Sequence, residues 1–88
     1  LAHLYVGTLW ISSRVGEKLV EKHELTADQV RAAVVNTGAL PFYWDHHPAR
    51  GSRAIVTTVI AGQSCLVVLY PAEGQSADVW RLGSAYPL

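Results

Sequence analysis

The chain has 88 residues, of which half are hydrophobic and 16% charged, with seven Lys and Arg balanced by seven Asp and Glu. That composition excludes a disordered chain, and the net charge of zero argues against nucleic-acid binding by global charge alone. A single cysteine excludes an internal disulfide, and apolar runs such as Cys65–Tyr70 are far too short to span a bilayer.

Leu1–Trp10 carries no basic n-region and no small-residue cleavage site, so no signal peptide and a cytoplasmic location are expected. No repeat, linker or low-complexity stretch interrupts the chain, and residues 1–88 are expected to form one domain. Leu4–Ile11 is rich in β-branched and aromatic residues and predicts a strand. Ser12 or Ser13 can cap a helix over Arg14–His23, with Glu17 one residue off the ideal capping-box spacing from Ser13. Val15 and Leu19 supply its apolar stripe.

The second helix has the clearest start. Thr26-Ala27-Asp28-Gln29 is a T-x-x-Q capping box, and Leu25 with Val30 has the spacing of a hydrophobic staple. Val30, Ala33 and Val34 form the buried face, and Gly38 is a left-handed end signal. Only a couple of residues separate the helices, which predicts a tight helical hairpin or corner.

After Pro41 the pattern turns to β. Strands are predicted at Phe42–Trp44, Ala54–Ala61, Ser64–Tyr70 and Asp78–Tyr86, with Gly62-Gln63 as a two-residue hairpin turn and Gly83 at a bulge. On the last strand, strict alternation puts Arg81, Gly83 and Ala85 on one face and Trp80, Leu82, Ser84 and Tyr86 on the other. Trp10, Trp44 and Trp80 all fall on strands and are expected between sheet and helices. The order β-α-α-β-β-β-β predicts an α+β fold, with two helices packed on one face of an antiparallel sheet.

Two groups of basic residues stand out. Arg14, Lys18 and Lys22 recur every four residues and line one helix face, either as a solvated face or as a track for phosphates or an acidic partner. In Trp44-Asp45-His46-His47-Pro48-Ala49-Arg50-Gly51-Ser52-Arg53, an extended backbone would send His46 and His47 to opposite sides. The stretch is either a polar hairpin with exposed histidines or a phosphate-binding element, since an arginine such as Arg53 can hold phosphate through two parallel bonds. Adjacent histidines with one aspartate lack zinc-ligand spacing, and no metal or other cofactor is expected. Cys65 lies in SCLVVLY and reads as a buried strand thiol.

The segment WISSRVGEKLVEKHELTADQVRAAVVN resembles the opening of small bacterial toxins of the BrnT-like, RelE-superfamily kind. There a strand leads into S-x-H-A-x-x-x-L-x-x-x-x-I-T-x-x-x-V. The later GSRAIVTTVIAGQSCLVVLYPAEGQSADVWRLGSAYP is similar to that family's G-R and V-V-V-x strands and its closing T-A-Y-P. The resemblance covers nearly the whole chain. Its most specific parts are Ser84-Ala85-Tyr86-Pro87 and the helical TADQV.

The resemblance implies the toxin of a type II toxin–antitoxin pair, an mRNA-interferase-like endoribonuclease working without a metal. Its implied partners are a cognate antitoxin and RNA, ribosome-bound mRNA included, with no membrane. Such cleavage needs a base for the 2′-OH, an acid for the leaving oxygen and cations for the charge on phosphorus. His46 or His47 is assigned as base or acid, and Arg53, at the family's G-R position, with Arg50 as phosphate holders. Lys18 and Tyr86 are assigned as accessories, with Arg14, Lys22 and Arg81 as further RNA contacts. The alternative is a catalytically inert protein-binding module on the same fold. Arg14 at a position where relatives often carry His, and the neutral charge, favour that alternative.

Overall fold

The computed structural model describes residues 3–38 and 40–88. It is α+β, with strands β1 (His3–Leu4) and β2 (Thr8–Trp10), helices α1 (Ser13–His23) and α2 (Ala27–Val34), then strands β3 (Leu40–His47), β4 (Gly51–Ile60), β5 (Gln63–Pro71) and β6 (Val79–Pro87). The six strands form one sheet in the order β1-β3-β4-β5-β6-β2.

The sheet is mixed, not purely antiparallel: β2 runs parallel to β6, and the other pairings are antiparallel. The predicted strand Leu4–Ile11 is divided in two, and its halves lie at opposite edges of the sheet. Only Tyr5, Val6 and Gly7 separate them, so the sheet must curl to bring its edges within reach. The curl shows in the tryptophans. Trp44 on β3 and Trp80 on β6 stand with ring centroids 6.1 Å apart although two strands intervene, whereas a flat sheet would separate those strands by about 14 Å. The Trp80 indole N–H donates to the Tyr5 carbonyl at 3.3 Å, tying the crossing segment to the last strand.

Ser12 caps α1, its hydroxyl accepting from the Val15 N–H at 3.2 Å. The α2 capping box forms as the sequence predicts. Thr26 Oγ1 accepts from the Gln29 N–H at 3.1 Å, and the Gln29 side chain accepts from the Thr26 N–H at 3.0 Å. Helix α2 ends at Val34, before the predicted Gly38 signal, because Val35 leaves the helix to bridge Val6 and the Asn36 N–H bonds the Val6 carbonyl. Leu19, Leu25, Val30 and Val34 join Val56, Val67, Leu69 and Leu82 in one buried cluster. Each such aliphatic side chain contributes about 1.5–3 kcal/mol by leaving water. Cys65 is free and fully buried there, as expected of a strand thiol. No helix among the described residues is long and apolar enough to cross a membrane.

Three local expectations need correction. The β4–β5 turn is Ala61-Gly62, not Gly62-Gln63; Ile60 pairs with Gln63, and both turn residues have positive φ, at 52° and 79°. Of the three tryptophans only Trp80 is buried, while Trp10 and Trp44 remain 46% and 44% exposed. The bulge at Gly83 is present, but it reverses the alternation around it. Val68 pairs with Ser84 and Leu69 with Leu82, leaving Gly83 as the extra residue. Trp80, Leu82 and Ala85 therefore share the buried face, and Arg81 comes onto the same side as Tyr86, not the opposite one.

Candidate functional site

The face of the sheet away from the buried cluster carries a row of side chains that crosses five strands. Asp45 on β3 pairs with Arg53 on β4. Arg53 and Tyr70 continue the β4–β5 register by one step beyond Ala54 and Leu69. Tyr70 on β5 pairs with Arg81 on β6, and Arg81 pairs with Trp10 on β2. Directly paired residues project to the same side of a sheet, with strands about 4.8 Å apart. The row thus runs acid, guanidinium, phenol, guanidinium, indole.

Its members touch. Arg53 Nε donates to Asp45 Oδ2 at 2.6 Å. The Asp45 carboxylate, and after it the Tyr70 hydroxyl, hold the Arg53 guanidinium above its ordinary pKa, so it is a fixed cation at any physiological pH. The Arg81 guanidinium carbon lies 5.4 Å from the centroid of the Tyr70 ring, within cation–π range. Tyr70 in turn fits because residue 83 has no side chain: a Cβ there would lie 2.4 Å from Tyr70 Cε2.

Two grooves flank Tyr70. The first, of about 300 Å³, is lined by Tyr43, Asp45, Arg50, Arg53, Tyr70 and Tyr86 over an apolar floor that includes Ile55 and Val68. Those two floor residues are only 5% exposed. The second, of about 240 Å³, contains Arg50, Tyr70 and Arg81, with Glu73 at its side. Arg50 opens onto both. Three arginines therefore surround one tyrosine, and Asp45 and Glu73 are the carboxylates beside them.

The structure brings together Arg50, Arg53, Arg81 and Tyr86 of the residues singled out from sequence. It separates the histidines. His47 projects to the same side as Arg53, paired with Gly51; His46 projects to the other, paired with Ser52. The His46 Nδ1 lies 2.5 Å from Ser52 Oγ. The His47 Nδ1 accepts the N–H groups of Ala49 and Arg50, both at 3.1 Å, and so shapes the turn that presents Arg50. With Nδ1 accepting, a neutral His47 carries its proton on Nε2, which is then a donor and not a base. Arg14, Lys18 and Lys22 are exposed on α1 and do not line the two grooves.

Sequence reasoning missed four contributors. Tyr70 follows the core residue Leu69, Tyr43 follows the partly buried Phe42, and Asp45 lies between Trp44 and His46, but only the pairing register places all three on the face of Arg53. His23, at the end of α1, lies with its ring centroid 5.8 Å from that of Tyr86, which lines the first groove. No group of three or more His, Cys, Asp or Glu among the described residues is gathered to hold a metal ion. Comparison with family models, curated proteins and solved structures yields no match to this chain.

Proposed function

We propose that the protein binds a single strand of RNA across this face and cleaves it by internal attack of the 2′-OH without a metal, as the toxin of a type II toxin–antitoxin pair. The observation that carries the reading is the clustering of Arg50, Arg53 and Arg81 around Tyr70 in a chain of zero net charge. Seven basic residues could spread evenly, yet three converge on one aromatic ring. Guanidinium groups hold phosphate through paired N–H donors, and an aromatic ring between them suits an unstacked base.

Arg53 and Arg50 hold the scissile phosphate and stabilise its developing charge. Tyr86 in the first groove and His23, whose ring lies against it, serve as the proton-transfer pair, and His47 donates from Nε2 to a phosphate oxygen. The antitoxin would neutralise the protein by covering the same arginines with carboxylates. The test is growth after induced expression, with incubation of purified protein and single-stranded RNA in chelator. Cleavage products ending in a 2′,3′-cyclic phosphate, lost in Arg53→Ala and His23→Gln, support the reading. A harmless protein that leaves RNA intact sinks it.

One observation favours the inert alternative. The first groove has an apolar floor that includes Ile55, Leu66 and Val68, and Arg53 is already paired to Asp45. A partner segment with an apolar side chain and an acidic neighbour fits that combination. RNA-independent retention of such a peptide, without cleavage, distinguishes the two readings.

A further inference from the structure

Beyond Arg81 the row ends at Trp10, and there the surface changes character. A groove of about 490 Å³ opens between the start of α1 and β6, with Trp10, Ile11, Val15 and Leu82 as apolar walls and Ser12 and Arg81 as its polar edge. It adjoins the arginine grooves, sharing Arg81 and Tyr70 with one and Tyr70 and Gly83 with the other. Trp10 is 46% exposed, on an edge strand where burial of an indole would be the ordinary outcome.

We infer that this groove is a nucleobase subsite, in which Trp10 stacks on one unpaired base and Arg81 reads its acceptor edge. The inference rests on the reading of the neighbouring arginines as phosphate holders. A planar apolar guest is required by the walls, and a strand anchored at Arg50 and Arg53 delivers its next base toward Arg81. The polar edge consists of the Arg81 guanidinium, which only donates, and the Ser12 hydroxyl, whose oxygen already accepts from Val15 and so has its proton to offer. Two donors and an apolar wall favour a base that presents two adjacent acceptors. Guanine, with O6 and N7, is the base an arginine pairs with through both arms.

The experiment is fluorescence anisotropy with four labelled oligonucleotides of equal length, in chelator at low salt: single-stranded RNA with one central guanine in uridines, all-uridine RNA, all-adenosine RNA and an abasic backbone. Wild type is expected to bind the guanine-containing strand most tightly and the abasic backbone least. Trp10→Ala weakens the guanine strand about tenfold, the scale of one base–aromatic stack, and leaves the abasic backbone unchanged. Trp10→Phe restores most of the loss, and circular dichroism confirms that both variants fold. Arg81→Lys keeps the charge and removes the preference for guanine. If Trp10→Ala binds all strands as wild type does, the base subsite is overturned while the phosphate reading stands. If wild type binds none of the four, both fall.

Discussion

The ring of Tyr70 occupies the space that a side chain on residue 83 would need. A Cβ built on Gly83 meets Tyr70 Cε2 at 2.4 Å and Cδ2 at 3.0 Å. Gly83 is also the extra residue of the β6 bulge, so one position both reverses the strand's phase and makes room for the ring at the centre of the arginine cluster. Gly83→Ala is expected to push Tyr70 off the face at a cost of about 1–3 kcal/mol, the range for overpacking. Urea denaturation measures the loss. Tyr70→Ala combined with Gly83→Ala should recover part of the overpacking penalty, and a simple sum of the two effects would contradict the contact.

Asp45 restrains Arg53 through the 2.6 Å ion pair. Asp45→Asn keeps a similar shape and removes the competing charge. If Arg53 holds phosphate as proposed, RNA affinity rises about fivefold at 0.1 M salt, because the carboxylate charge beside it is gone. Arg53→Ala should lower affinity and reduce the slope of log K against log salt by about one. Equal salt slopes for wild type and Arg53→Ala would remove Arg53 from the phosphate contact.

His47 is bound into its turn, accepting from both Ala49 and Arg50. An asparagine side-chain oxygen can make the same local bonds. His47→Asn is therefore expected to keep thermal stability within a few tenths of a kcal/mol, whereas His47→Ala loses about 1 kcal/mol. Nitrogen chemical shifts of the neutral imidazole give an independent check: Nδ1 should be the unprotonated atom. RNA cleavage that survives in His47→Asn would show that the ring serves the loop and not the chemistry.

Ala61 adopts φ 52° in the β4–β5 turn, a left-handed conformation that costs a side-chain-bearing residue about 1 kcal/mol. Ala61→Asn converts the turn to Asn-Gly, the preferred pair for two left-handed positions. The midpoint of denaturation should rise with an unchanged m-value and no change in RNA binding, since this hairpin end lies away from the arginines.

Much of the secondary structure was legible because its signals are local. The Thr26–Gln29 box closes within four residues, and the bulge at Gly83 follows from a glycine inside an apolar strand. Other features depend on partners distant in sequence. Within Leu4–Ile11 only Gly7 marks the break at Tyr5-Val6-Gly7, and that the halves go to opposite edges arises because Leu4 pairs with Leu40 and Thr8 with Val79. The candidate site divides in the same way. Arg50 and Arg53 were visible as charges in one short stretch. Tyr70 resembles any strand residue until β5 is set against β6, and strict alternation puts Arg81 opposite Tyr86 because it ignores the extra residue at Gly83. His46 and His47 drew attention as a pair, yet a strand necessarily sends neighbours to opposite sides, so at most one could join Arg53.

The pairing of Trp10 with Arg81 has a consequence for the order in which the molecule is made. Thr8 emerges from the ribosome 71 residues ahead of its partner Val79. Until that last strand arrives, the first cannot dock, the indole has no wall opposite it, and the guanidinium of Arg81 does not yet exist. Assembly by such distant contacts is slow compared with helix formation. A nascent chain thus cannot complete this surface until β6 has been synthesised.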